Sequence, residues 1–109
     1  MAYTPRQGDI IFLDFNPQSG HEQSGRRPGV IVSNDQFFLR TKLALVCPIT
    51  NADNKFPLHI PLDDRTKTTG VVLCEYVKCL DIISRKAQFV EKVPEDISIK
   101  VISYIQAFF

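Results

Sequence analysis

A chain of 109 residues that is 44% hydrophobic and carries 8 Phe has the apolar content for one folded domain, 1–109, and is not a disordered binder. Its 13 Lys and Arg against 12 Asp and Glu leave a net charge of +1, which excludes a surface blanketed in positive charge; any contact with nucleic acid is local. No stretch reaches the roughly 18 apolar residues of a membrane helix, and the opening "MAYTPRQGD" has no signal-peptide run, so the expectation is a cytoplasmic protein with no membrane partner.

"GDIIFLDF", residues 8–15, predicts a first strand stopped by "NPQSG". After Pro28, "GVIVS" predicts a second, whose nearly unbroken apolar character implies burial on both faces, as in a small closed barrel. "NDQFFLRTK" has Asn34 and Asp35 as caps for one or two helical turns, and "LALVCPIT" predicts a third strand that delivers Thr50 at its end. In "FPLHIPL" the prolines cannot donate to a ladder, so this strand belongs at an edge. "VVLCEYVKCLDI" is the longest β-like stretch, expected to bend near its middle and to continue into "IISRKA". Beyond Pro94, Ile97, Val101, Ile105 and Phe108 fall at helical spacing, with Glu95 and Asp96 at the positive end of the dipole. Ile99, Ile102 and Phe109 lie off that stripe, leaving apolar surface for a partner. The fold class is thus mainly β: a strongly bent antiparallel sheet or small barrel with one C-terminal helix.

The loop "GHEQSGRRPG", residues 20–29, carries more hydrogen-bonding and ionisable groups than a turn requires. Arg27, held by the φ-restricted Pro28 at a strand entrance, presents a planar fork suited to a phosphate. On residue type alone, a surface arginine paired with Asp14 or Glu22 is the commoner case. Arg26 projects to the other side of an extended segment and is a rim contact. Thr50 offers a hydroxyl at the end of a buried strand, or caps a turn. His21 and Glu22 offer a tunable base and a carboxylate, or close the loop through its backbone. Glu75, in an otherwise apolar strand, needs a partner if buried or else faces solvent. His59 is left as structural or exposed. Cys47, Cys74 and Cys79 lack the spacing of a zinc site and are read as small, reduced core residues. The GxxxxG of Gly20 to Gly25 is followed by Arg-Arg and is no phosphate-binding P-loop, so the chemistry is expected to need no metal or other cofactor.

"GDIIFLDFNPQSGHEQSGRRPGVIVS", then "VCPIT", "TTGVVLCEYVK" and the terminal helix, in this order along almost the whole chain, strongly resemble the MazF/PemK toxins, sequence-selective endoribonucleases of type II toxin–antitoxin pairs. The resemblance implies a homodimer of SH3-like barrels, akin to the gyrase-poison toxins in fold, that cuts single-stranded RNA without a metal to leave 2′,3′-cyclic phosphate and 5′-hydroxyl ends. It implies Arg27 and Thr50 as the catalytic pair and puts Glu22 at the scissile site. A second scheme in the family uses an arginine and an acidic residue of the "TTGVV" strand with the loop histidine. His21 and Glu75 match it, but Leu73 stands where the arginine would be, so Arg27 and Thr50 are favoured.

Cleavage by the substrate's own 2′-OH needs a base, charge stabilisation for the phosphorane and an acid for the leaving oxygen. An arginine, with its reference pKa of about 12.5 to 13.8, is suited to the clamp and not to proton donation. Arg27 and Thr50 are therefore assigned to transition-state stabilisation, with Glu22 as base and His21 as its fallback. Gln23, Ser24, Arg26, Glu75 and Arg85 are candidates for reading the RNA, each with an ordinary surface role as its alternative. The resemblance also implies a MazE/PemI-like antitoxin that folds on the groove. The competing readings are a non-catalytic toxin of the same fold that binds a protein, as the gyrase poisons do, and a barrel that only binds nucleic acid.

Overall fold

The computed structural model describes residues 3–15, 25–52 and 57–109. Seven strands form one antiparallel sheet: β1 (Asp9–Asp14), β2 (Arg26–Ile31), β3 (Ala44–Thr50), β4 (His59–Pro61), β5 (Val71–Leu73), β6 (Lys78–Leu80) and β7 (Gln88–Lys92). The hydrogen-bonded path runs β4-β5-β3-β2-β1-β7, with β6 also paired to β3. Among the described residues this path does not close, so the expected bent sheet is present without a closed ladder. The strand read after Pro28 begins earlier, at Arg26, and takes in both arginines.

Alternation along the strands sorts the core onto two faces. Ile10, Val30, Cys47, Ile49 and Val72 pack with Ile97 and Val101 of the C-terminal helix α2 (Glu95–Gln106). Ile11, Leu13, Phe15, Ile31 and Val46 pack on the other face with Phe38 of the short helix α1 (Asp35–Thr41). Asn34 caps α1 as expected, its Oδ1 accepting the Phe37 N–H at 2.9 Å. The proline-flanked β4 is an edge strand, as its missing donors require.

The long stretch 71–82 departs from its reading as one strand. Val72 pairs with Ile49 and Lys78 with Val46, so this stretch holds three more residues than the part of β3 it spans. The surplus Cys74–Tyr76 forms a 3-10 turn level with Pro48, which has no N–H to offer. Glu75 therefore sits in that turn and not in a strand. "IISRKA" does not extend β6: residues 82–86 are turn, ending on Lys86 at φ 54°. Strand β7 was not anticipated, because its side chains are mostly exposed and show no alternation. Cys47 and Cys74 are buried as expected, whereas Cys79 is exposed. Of the residues off the main stripe of α2, Ile102 packs against the core, while Ile99 and Phe109 are exposed.

Candidate active site

Arg27 is half-buried on β2 and lies opposite Leu13. In the β2–β3 ladder Gly29 pairs with Pro48. Carrying that register on by two residues sets Arg27 level with Thr50, and residues level in an antiparallel pair project to one face. That face is the one occupied by Leu13. Gly29 lets the strands meet there: a Cβ on it would lie 2.7 Å from Val46 Cγ1 and 3.0 Å from Phe15 Cζ.

Thr50 is 8% exposed and pairs with Val71 of β5. Its Oγ1 accepts the Ala52 N–H at 3.0 Å, so it does cap the turn, and its own O–H remains available to donate. The backbone there is pinned by Gly70, at φ +118°, whose hypothetical Cβ would lie 2.5 Å from the Thr50 carbonyl oxygen. Only glycine fits that conformation and that gap. The length of the Thr50 segment and its place at the end of a buried strand were legible in the sequence; the role of Gly70 was not.

The other site expectations distribute as follows. His21, Glu22, Gln23 and Ser24 lie outside the described residues. Arg26 projects away from Arg27, as its neighbouring position requires: its guanidinium lies 5.0 Å from the Phe12 ring centroid, and Nη2 donates to Gln88 Oε1 at 3.4 Å. Asp14 is level with Arg26. Arg85 donates through Nη1 to the Asp14 carbonyl at 2.8 Å, tying the 82–86 turn to the end of β1. Glu75 faces His59, with Oε2 2.7 Å from Nε2.

Burial pushes the Cys47 thiol well up, reinforced by Cys74 and Glu75, and burial with Glu75 pushes Cys74 up to about 12. Both stay protonated at neutral pH and are poor nucleophiles and ligands there. No three His, Cys, Asp or Glu side chains cluster as metal ligands would among the described residues. A guanidinium fork and a hydroxyl donor carried on one face are suited to an anionic phosphorus centre.

A family model for the PemK-like, MazF-like toxin of type II toxin–antitoxin systems matches residues 6–109. The chain is 35% identical over 100 residues to the endoribonuclease PemK of Escherichia coli, covering 88% of this chain and 75% of that protein. It is 32% identical over 108 residues to the endoribonuclease toxin ChpB of E. coli K12, covering 93% and 90%. In structure it resembles MazF of Deinococcus radiodurans with a TM-score of 0.92 at 33% identity, covering 98% of this chain and 97% of that one. A MazE–MazF complex from the same organism aligns with a TM-score of 0.83 at 27% identity, covering 98% and 96%.

Proposed function

The chain belongs to the PemK-like, MazF-like toxin family of type II toxin–antitoxin systems, and from that premise we propose that its Arg27–Thr50 face is where it cuts single-stranded RNA. It is an endoribonuclease toxin, as its relatives PemK and ChpB are named. The observation that supports this assignment is the β2–β3 register, in which Gly29 pairs with Pro48; carried on by two residues it sets Arg27 level with Thr50.

In the proposed reaction the 2′-oxygen of the RNA attacks the adjacent phosphorus as its proton passes to a base. A P–O bond forms to the 2′-oxygen, the P–O5′ bond breaks, and the departing O5′ takes a proton. The products are a 2′,3′-cyclic phosphate and a 5′-hydroxyl, with no water or metal needed for this step. Arg27 clamps the non-bridging oxygens as charge builds on the phosphorane, and the Thr50 hydroxyl donates to the same group. Glu22 is the proposed base, with His21 in reserve. Gln23, Ser24, Arg26, Glu75 and Arg85 are the proposed RNA contacts, although Arg85 already supports β1 through the Asp14 carbonyl.

The partners are single-stranded RNA, a cognate antitoxin of the MazE/PemI kind and a second copy of the chain; the setting is the cytoplasm. The MazE–MazF complexes of the Deinococcus relative support the antitoxin. No helix among the described residues is long and apolar enough to cross a membrane. The test incubates purified, antitoxin-free protein with a long single-stranded RNA in EDTA and maps both ends of each product. Discrete cuts at a short shared motif, ending in cyclic phosphate and 5′-hydroxyl, are expected. Linear 3′-hydroxyl ends, or cutting that needs added metal, would contradict the chemistry.

A further inference from the structure

His59 takes no part in the chemistry above, yet its side chain is 6% exposed and its Nε2 lies 2.7 Å from Glu75 Oε2. The sheet explains how two residues so far apart in sequence meet. His59 pairs with Leu73 across the edge ladder, while Val71, two residues earlier on β5, pairs with Thr50. Leu73 and Val71 share a face, so His59 belongs to the Thr50 face, and its neighbour Ile60 fills the opposite core with Val72. The surplus turn at Cys74–Tyr76 lifts Glu75 off the ladder, so no strand pairing fixes its direction.

Among the described residues His59 is the single hydrogen-bond partner of Glu75. The other oxygen, Oε1, is buried with no partner, while 26% of the side chain is open. An unmet buried acceptor in a folded protein calls for an explanation. Oε1 is buried beyond a ligand's reach, so the accepting capacity left over is the second lone pair of Oε2, beyond the histidine contact.

We infer that His59 is a positioning residue, which holds Glu75 on the Arg27–Thr50 face so that its carboxylate accepts an N–H from an unstacked base beside the scissile phosphate. The ligand is an amino or imino edge of a nucleobase, and the pair thereby helps set which base is read. This rests on the ribonuclease reading given above.

The experiment cleaves a random-sequence RNA pool with wild type, His59→Ala, His59→Gln and Glu75→Gln, sequences the new ends, and follows thermal unfolding of each protein. In wild type, base preference is expected at several positions around the cut. His59→Ala and Glu75→Gln are each expected to flatten or alter that preference at one shared position, leaving the others intact. For a preferred site the loss falls on KM, about 10- to 100-fold for one base contact, and far less on kcat. His59→Gln is expected to recover most of it, because its amide nitrogen reaches about as far as Nε2 and donates to the same oxygen. Unchanged preference in folded variants, or a uniform loss at every site that tracks a lowered melting temperature, would overturn the inference while leaving the ribonuclease intact. A wild type that leaves the pool uncut would overturn both. Should His59→Ala fail to fold, His59→Asn, whose shorter amide cannot reach Glu75 Oε2, takes its place and is expected to lose preference at the position that Glu75→Gln loses.

Discussion

At the scale of single residues, the proposed site is an arginine and a threonine, the threonine pinned by Gly70. Losing one electrostatic donor from a phosphorane clamp typically costs about 100- to 1000-fold in rate. Arg27→Ala is therefore expected to lose activity on that order with the fold intact, and Arg27→Lys to recover only a fraction, since an ammonium cannot reproduce the fork. Single-turnover cleavage with a circular dichroism control checks both. Gly70→Ala places a methyl against the Thr50 carbonyl at a strained φ, for which a cost of about 1–3 kcal/mol is expected, with a parallel fall in cleavage. Urea unfolding beside the cleavage assay reads the two together. The thiols give a further check: Cys79 is expected to react with an aromatic disulfide reagent at pH 7.5 while Cys47 and Cys74 do not, because burial holds their thiols protonated. The places of Arg27 and Thr50 on their strands were legible because each sits beside a proline or a strand end. The His59–Glu75 contact was not, because two short strands and a surplus turn must form before those side chains meet.

At the scale of elements, the departures from expectation share one cause. Where apolar residues mark burial, as in β1, β3 and α2, the strand or helix is readable. Where an element is exposed or held by side chains, the pattern is silent. Strand β7 is such a case: Phe89 and Val90 are adjacent and both exposed. The carboxylate of its Glu91 takes the N–H groups of Lys67 and Thr68 and the Thr68 hydroxyl, fastening the 66–69 segment to the sheet. Burial alone would raise the Glu91 carboxyl, but those donors outweigh it and hold it below its ordinary value. A lowered folded value means the stabilisation is full above the unfolded carboxylate pKa of about 4.3 and disappears as pH falls through the folded one. Glu91→Gln is expected to cost about 1 kcal/mol at pH 7 and less at pH 3. Chemical denaturation at the two pH values measures the difference. The break at Cys74–Tyr76 was half legible: a bend near the middle of the stretch follows from its length, but the turn that holds Glu75 depends on pairing with β3.

At the scale of the whole molecule, one sheet with two packed faces separates tasks. The face under α2 is filled by aliphatic residues and holds the fold together. The far face ends in the Arg27–Thr50 pair and the buried His59 contact. Ile99, Phe108 and Phe109 remain exposed on the last helix and the residues after it, an apolar surface that suits the proposed C2 dimer, in which the same patch serves both copies. Light scattering at micromolar concentration is expected to give twice the chain mass, and Ile99→Glu to reduce it. With a net charge of only +1, RNA affinity is expected to fall gently with salt, as for a few phosphate contacts. The fold class and the elements up to β5 were legible, whereas the turn at Cys74–Tyr76, β7 and the path of the sheet were not, since local patterns do not say which strand pairs with which.

The most direct test of the central claim, that Arg27 and Thr50 act together on one phosphate, is a double-mutant cycle on RNA cleavage. The values of kcat/KM are measured for wild type, Arg27→Ala, Thr50→Val and the double variant on one substrate carrying a mapped cut. Residues that act as a unit give a double loss well short of the product of the two single losses. That is the result expected here. Losses that multiply, or a single variant that cuts as fast as wild type, would contradict it and move the centre of cleavage elsewhere on the chain.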